Sequence, residues 1–102
     1  MGVDLYRKGE NGEVLESLAD SAGILARLID QARKNGESSL LKYVDPYGDT
    51  LFNRLQVPGF VEECRRLLAL TSSPEEAEFI RHVIAIGERA DEQIDYVLLV
   101  GD

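Results

Sequence analysis

The chain has 102 residues, 44% of them hydrophobic and 29% charged, with a formal net charge of −8. That is the size of one domain and the composition of a soluble globular protein, and it excludes a disordered chain. The acidity repels a phosphate backbone or an anionic lipid surface, so neither nucleic acid nor membrane is expected as a partner. A basic protein is the partner that charge favours.

Apolar runs such as Val97–Val100 fall far short of the roughly 20 residues of a membrane span. The stretch from Met1 to Glu13 has no basic region followed by an apolar core, so no secretory leader is expected. The single cysteine, Cys64, excludes an internal disulfide and a multi-cysteine zinc site. It suits a reducing cytoplasm.

The first element is an alternating strand over Val3–Lys8. Val3, Leu5 and Arg7 share one face, and Asp4, Tyr6 and Lys8 the other. Gly9-Glu10-Asn11-Gly12 supplies turn residues, and Val14-Leu15 returns as a short second strand. A helix follows, capped by Asp20 or Ser21, with Ile24, Leu25, Leu28, Ile29 and Ala32 on its apolar face and Gly36 as its stop.

Ser38–Val44 reads as a middle strand, ended by Asp45-Pro46. The second helix opens at Val57-Pro58 and buries Phe60, Val61, Cys64, Leu67 and Leu68, with Glu62 and Arg66 spaced to pair. The third opens on a capping box, Ser73-Pro74-Glu75-Glu76. Phe79, Ile80, Val83, Ile84, Ile86, Gly87 and Ala90 leave it only a narrow polar face. Gly87 there implies close contact with a neighbouring element, because glycine in a helix interior costs roughly 1 kcal/mol relative to alanine. Tyr96–Val100 is apolar without alternation, which predicts a strand in mid-sheet or covered on both faces. A helix precedes it, so its partner is long-range, most simply the first strand or the middle one. The expected fold is α+β, a single two-layer domain at 1–102 with a small mixed sheet packed by about three helices.

Phosphate loops, dinucleotide fingerprints, zinc-protease and EF-hand spacings and the G-x-S-x-G elbow are all absent. No cofactor is therefore expected. The lone His82 sits on a helix without a nucleophile near it in sequence, and Cys64 lies in an apolar stripe, so both read as structural.

The chemically dense stretch is Val44–Gly59, "VDPYGDTLFNRLQVPG". It has three readings. In the first, Asp45-Pro46-Tyr47-Gly48 is a type I turn, and Asp49 or Thr50 caps a short helical turn in which Leu51, Phe52 and Leu55 pack inward. In the second, Tyr47, Asn53, Arg54 and Gln56 form a protein-binding surface. In the third, Asp45 and Asp49 are a carboxylate pair for acid–base or metal chemistry, with Arg54 stabilising charge; two carboxylates and a hydroxyl are few against the usual six to eight oxygens of a calcium site.

From Glu75 to Asp102 the chain carries eight acids against two bases, Arg81 and Arg89. Together these features point to a non-enzymatic, cytoplasmic, bacterial-style interaction protein, of which an immunity or antitoxin-like role is one version. A small enzyme built on Asp45 and Asp49 is the alternative. A homo-oligomeric scaffold, its core completed across a two-fold axis by the last strand or third helix, is the other.

Overall fold

The computed structural model describes residues 2–36 and 38–101. The strands are β1 (Val3–Lys8), β2 (Val14–Leu18), β3 (Asp49–Phe52) and β4 (Tyr96–Gly101). The helices are α1 (Ile24–Lys34), α2 (Val57–Leu67) and α3 (Pro74–Gln93), with 3-10 turns at Leu41–Tyr43 and Leu68–Leu70. The α+β class and the two-layer arrangement hold. Strand order is β2-β1-β4-β3, and every pairing is antiparallel, where a mixed sheet was expected. The cause is the helical connection: α2 and α3 pack as a hairpin, out and back, so β4 enters running against β3.

β1 and β4 are the two central strands, paired from Val3 opposite Gly101 to Lys8 opposite Tyr96. Their inward residues Val3, Leu5, Val97 and Leu99 are buried, together with Phe52 of β3. The helices complete this core with Leu25 and Leu28 of α1, Phe60 and Leu67 of α2, and Ile80 and Val83 of α3. Gly87 answers to the close contact expected of it. A Cβ there would stand 2.8 Å from Val61 Cγ2 and 3.4 Å from Phe60 Cε2, so the missing side chain lets α2 and α3 approach. Glu62 pairs with Arg65 rather than with Arg66, because Arg65 also reaches Glu88 across the α2–α3 junction.

Three buried carboxylates tie the layers together. Asp20 accepts from Val3 N at 3.0 Å, Leu25 N at 3.1 Å and Ala26 N at 3.0 Å, so one side chain caps α1 and anchors the start of β1. Glu63 accepts from Ser38 Oγ and from the N–H groups of Ser39, Leu40 and Leu41. Those donors are spoken for, so Ser38–Val44 is not the middle strand that its composition suggested. Leu41 and Val44 are buried while Lys42 and Tyr43 are exposed, the three-residue spacing of a helical turn. The second sheet partner of β4 is instead Asp49–Phe52, where a helical turn was expected. Leu51 and Leu55, expected to pack inward, are exposed; only Phe52 goes in, against Phe60.

Asp95, the third buried carboxylate, resolves the inward-facing Arg7. The guanidinium donates to Asp95 Oδ2 and to Glu16 Oε2, each at 2.6 Å. Arg89 of α3 forks onto Glu16 as well, at 2.8 and 2.6 Å. β1, β2, α3 and the start of β4 thus share one ionic network, with its bidentate member oriented by geometry as well as charge.

Ile94 ends α3 in the left-handed region, φ 58°, with its N–H on Asp91 O and the next N–H on Ala90 O. This is a glycine position filled by an exposed β-branched residue, and left-handed backbone costs an L-residue roughly 1–2 kcal/mol. Ile94→Gly is therefore expected to raise the unfolding free energy by about 1 kcal/mol in urea denaturation; a loss of stability would refute the strain.

The hydrogen bond from Arg89 lowers the Glu16 pKa below its ordinary 4.5; desolvation opposes this, and the bond from Arg7 adds to it. A carboxylate held lower in the folded state contributes stability that is present above 4.5 and lost as pH falls through the folded value. Glu16→Gln is expected to cost about 1 kcal/mol at neutral pH and to flatten the acid limb of the stability profile. An unchanged acid limb would show that the network contributes nothing to folding.

Candidate interaction surface

Strand registers place the outward side chains of the sheet on a grid, since directly opposed residues share a face. One row is Asp4, Val100 and Asp49, across β1, β4 and β3. The next is Ser17, Tyr6, Leu98 and Leu51, across all four strands. The third is Val14, Lys8 and Tyr96, across β2, β1 and β4. None of these ten residues is buried, whereas their inward neighbours Val3, Leu5, Val97, Leu99 and Phe52 are. All three helices pack on the inward side. The outward side of the sheet is uncovered.

That uncovered face is apolar at its centre. Leu51 is 55% exposed and Val14 57% exposed, and Tyr6, Tyr96, Leu98 and Val100 shield one another only in part. β3 ends at Phe52, opposite Val97, so Tyr96 has no neighbour on that side. A hollow of about 180 Å³ opens there, lined by Leu51, Tyr96, Lys8 and the Gly9–Gly12 turn. Charge is confined to the two ends: the Asp4 and Asp49 carboxylates at one, and the Lys8 ammonium with Glu10 of the turn beside it at the other. A contiguous apolar patch with a polar margin is the usual signature of a contact surface.

The loop singled out by its composition is put to local use. Asp45 Oδ1 accepts from Tyr47 N at 2.9 Å, Asp45 N donates to Thr50 Oγ1 at 2.9 Å, and Gly48 N turns back to Asp45 O. This is the expected turn, and Thr50 serves it rather than capping a helix. The turn lies over the end of β4: Gly101 N donates to Gly48 O, and a Cβ on Gly101 would collide with the Pro46 carbonyl. Asn53 accepts from the N–H groups of Leu55 and Gln56, and Gln56 Oε1 accepts from Asn53 N in return. Asn53 and Gln56 thus form a reciprocal cap ahead of α2.

The four residues of the proposed loop surface consequently divide. Asn53 and Gln56 are engaged with backbone. Tyr47 and Arg54 are exposed, and Tyr47 borders a hollow of about 190 Å³ beside Arg33 and Val44 that does not include Arg54. Asp45 bends onto its own turn, while Asp49 stands on the outward sheet face opposite Val100. Among the described residues no group of three or more His, Cys, Asp or Glu side chains is arranged to hold a metal ion. His82 is exposed on α3, 3.7 Å from Glu78.

Sequence reasoning had half of the sheet face in hand. The alternation of β1 assigns Asp4, Tyr6 and Lys8 to one side. The unbroken apolar run of β4 suggested a strand in mid-sheet or covered on both faces; β4 is a central strand, and its burial alternates, so Leu98 and Val100 are left on the open side. Apolar residues at outward positions of both central strands were the available signal. Comparison with protein-family models, with curated proteins and with solved structures returns no match.

Cys64 is buried, and burial pushes its thiol pKa well above the ordinary range, with the neighbouring Glu63 charge adding to the effect. A thiol kept protonated and covered is a poor nucleophile. The folded protein is expected to leave a disulfide reagent such as DTNB unreacted until denaturant is added. Rapid labelling of the native state would return Cys64 to the list of reactive groups.

Proposed function

We propose that this chain is a non-enzymatic protein-interaction module that docks through the uncovered face of its sheet. The observation that carries the reading is the apolar centre of that face, Tyr6, Leu98, Leu51 and Tyr96, left open while the opposite face is fully packed. Large aromatic and aliphatic side chains in such a setting supply contact energy at low entropic cost. The alternative enzyme on Asp45 and Asp49 has less support, because Asp45 is engaged in its own turn.

The net charge of −8 supports a basic protein as the kind of partner, and an immunity or antitoxin-like role is the form of interaction protein that such acidity suits. A single buried thiol is in keeping with a reducing cytoplasm. No helix of the described residues is long and apolar enough to cross a membrane.

The test is a pull-down from native lysate at low and high salt, with the wild-type chain and with Leu51→Asp. Leu51 is 55% exposed, so the substitution leaves folding intact while placing a charge in the patch. Retention of a protein by the wild type and its loss with Leu51→Asp is the expected result. Tyr47→Ala with Arg54→Ala serves as the comparison, and loss there instead would move the surface to the loop.

A further inference from the structure

We infer that the occupant of the uncovered sheet face is a second copy of this chain, packed face to face about a two-fold axis that lies in the interface and crosses the strands at right angles. This rests on the reading of that face as a docking surface and names its partner. The distribution of charge selects both the occupant and the axis. Asp4 and Asp49 lie in the row at one end of the strands, and Lys8 in the row at the other.

Two sheets can meet face to face about either of two in-plane two-fold axes. An axis along the strands sets acids over acids and lysine over lysine. An axis across the strands reverses the ends, so that each Lys8 meets the Asp4 and Asp49 end of the other copy. Like charges placed against each other across an interface are costly, so the second arrangement is selected. In it Leu98 and Tyr6, which share the middle row, each meet their own counterpart across the axis. Tyr96 meets Val100, and Asp49 faces the hollow that Lys8 and Glu10 border in the other copy. Facing sheets then pack about 10 Å apart with their strands within about 30° of alignment, as in a sandwich.

The helical layer argues for the same occupant. The exposed acids of α3, Glu75, Glu78, Glu88, Asp91 and Glu92, belong to the layer on the other side of the sheet. The sheet face and its turn carry three carboxylates, Asp4, Asp49 and Glu10, and one ammonium, a small share of the net charge of −8. The charge that attracts a basic protein therefore lies mainly on the helical layer, and the sheet face is the part of the surface that self-contact suits. Area sets the strength. Four strands about 4.8 Å apart, two of six residues, one of five and one of four at about 3.4 Å each, give a flat footprint of roughly 340 Å², against the roughly 800 Å² of accessible surface per partner in a standard interface. Side-chain relief narrows that gap without closing it, so the dimer is expected to be of micromolar strength.

Sedimentation velocity from about 1 to 500 µM at physiological ionic strength tests this. The wild type is expected to pass from monomer to dimer, and Leu98→Glu and Leu51→Asp to remain monomeric with unchanged circular dichroism. Charge exchange tests the axis. Lys8→Glu and Asp49→Lys each set like charges against one another and are expected to weaken self-association about tenfold or more. An equimolar mixture of the two keeps one contact as in the wild type and sets the introduced acid against the introduced lysine at the other, with Asp4 unchanged beside it, so it is expected to dimerise more tightly than either variant alone.

A wild type that stays monomeric throughout overturns the inference, and so does a dimer indifferent to Leu98→Glu. A dimer that Leu98→Glu abolishes, and that the mixture forms no more tightly than either variant alone, overturns the crossed axis. A monomer that nonetheless retains another protein, and loses it with Leu51→Asp, removes the second copy while leaving the interaction reading standing. Failure of both self-association and capture removes that reading too.

Discussion

The pairing of β1 with β4 is the constraint from which the rest of the molecule is built. It runs from Val3 opposite Gly101 to Lys8 opposite Tyr96, joining segments almost a chain length apart. Because side chains alternate along a strand, a slip of one residue in this pairing would send Leu5 and Leu99 outward and bring Tyr6 and Leu98 in. The register is held from both ends. Asp20 fixes the Val3 N–H, and Arg7 reaches Asp95 just before β4 begins. Burial of Leu5, Val97 and Leu99 against the helices then makes the alternative register unfavourable by several side chains' worth of exposed apolar surface, at about 1.5–3 kcal/mol each.

The segments whose stability is local are the ones readable from sequence. The Gly9–Gly12 turn, the Ser73 cap of α3, the apolar stripes of α1 and α2 and the Asp45–Gly48 turn all depend on residues within a few positions of each other. The failures are long-range. Nothing within Ser38–Val44 announces that Glu63, more than twenty residues away, will take three of its N–H groups. Likewise nothing in "DTLF" says that β4 offers an edge, and a strand of four residues is too short for periodicity to assert itself. Of the candidate site residues, Asn53 and Gln56 were legible as polar and exposed, but not as each other's caps. The sheet face escaped because its two halves lie at opposite ends of the sequence.

The buried carboxylates share one logic. Asp20, Glu63 and Asp95 each sit where backbone or guanidinium donors converge, and each donor set comes from an element other than the carboxylate's own. A carboxylate accepting several N–H bonds offsets the desolvation it suffers on burial. In a domain of this size such groups act as long-range ties where a larger protein has more core to draw on. They also absorb much of the interior chemistry that composition alone would assign to catalysis, and they leave the apolar centre of the outward sheet face without a layer to cover it.

The central position of β4 has a consequence for how the chain is made. β1 and β2 leave the ribosome together and can form their hairpin at once, but the strand that belongs beside β1 is synthesised nearly ninety residues later. Through that interval the hairpin presents an unpaired edge on β1, and Leu5 and Val3 wait for a core that does not yet exist. Unpaired edges with apolar side chains are what neighbouring nascent chains pair with. The charges on β1, Asp4, Arg7 and Lys8, are of the kind that discourages such pairing.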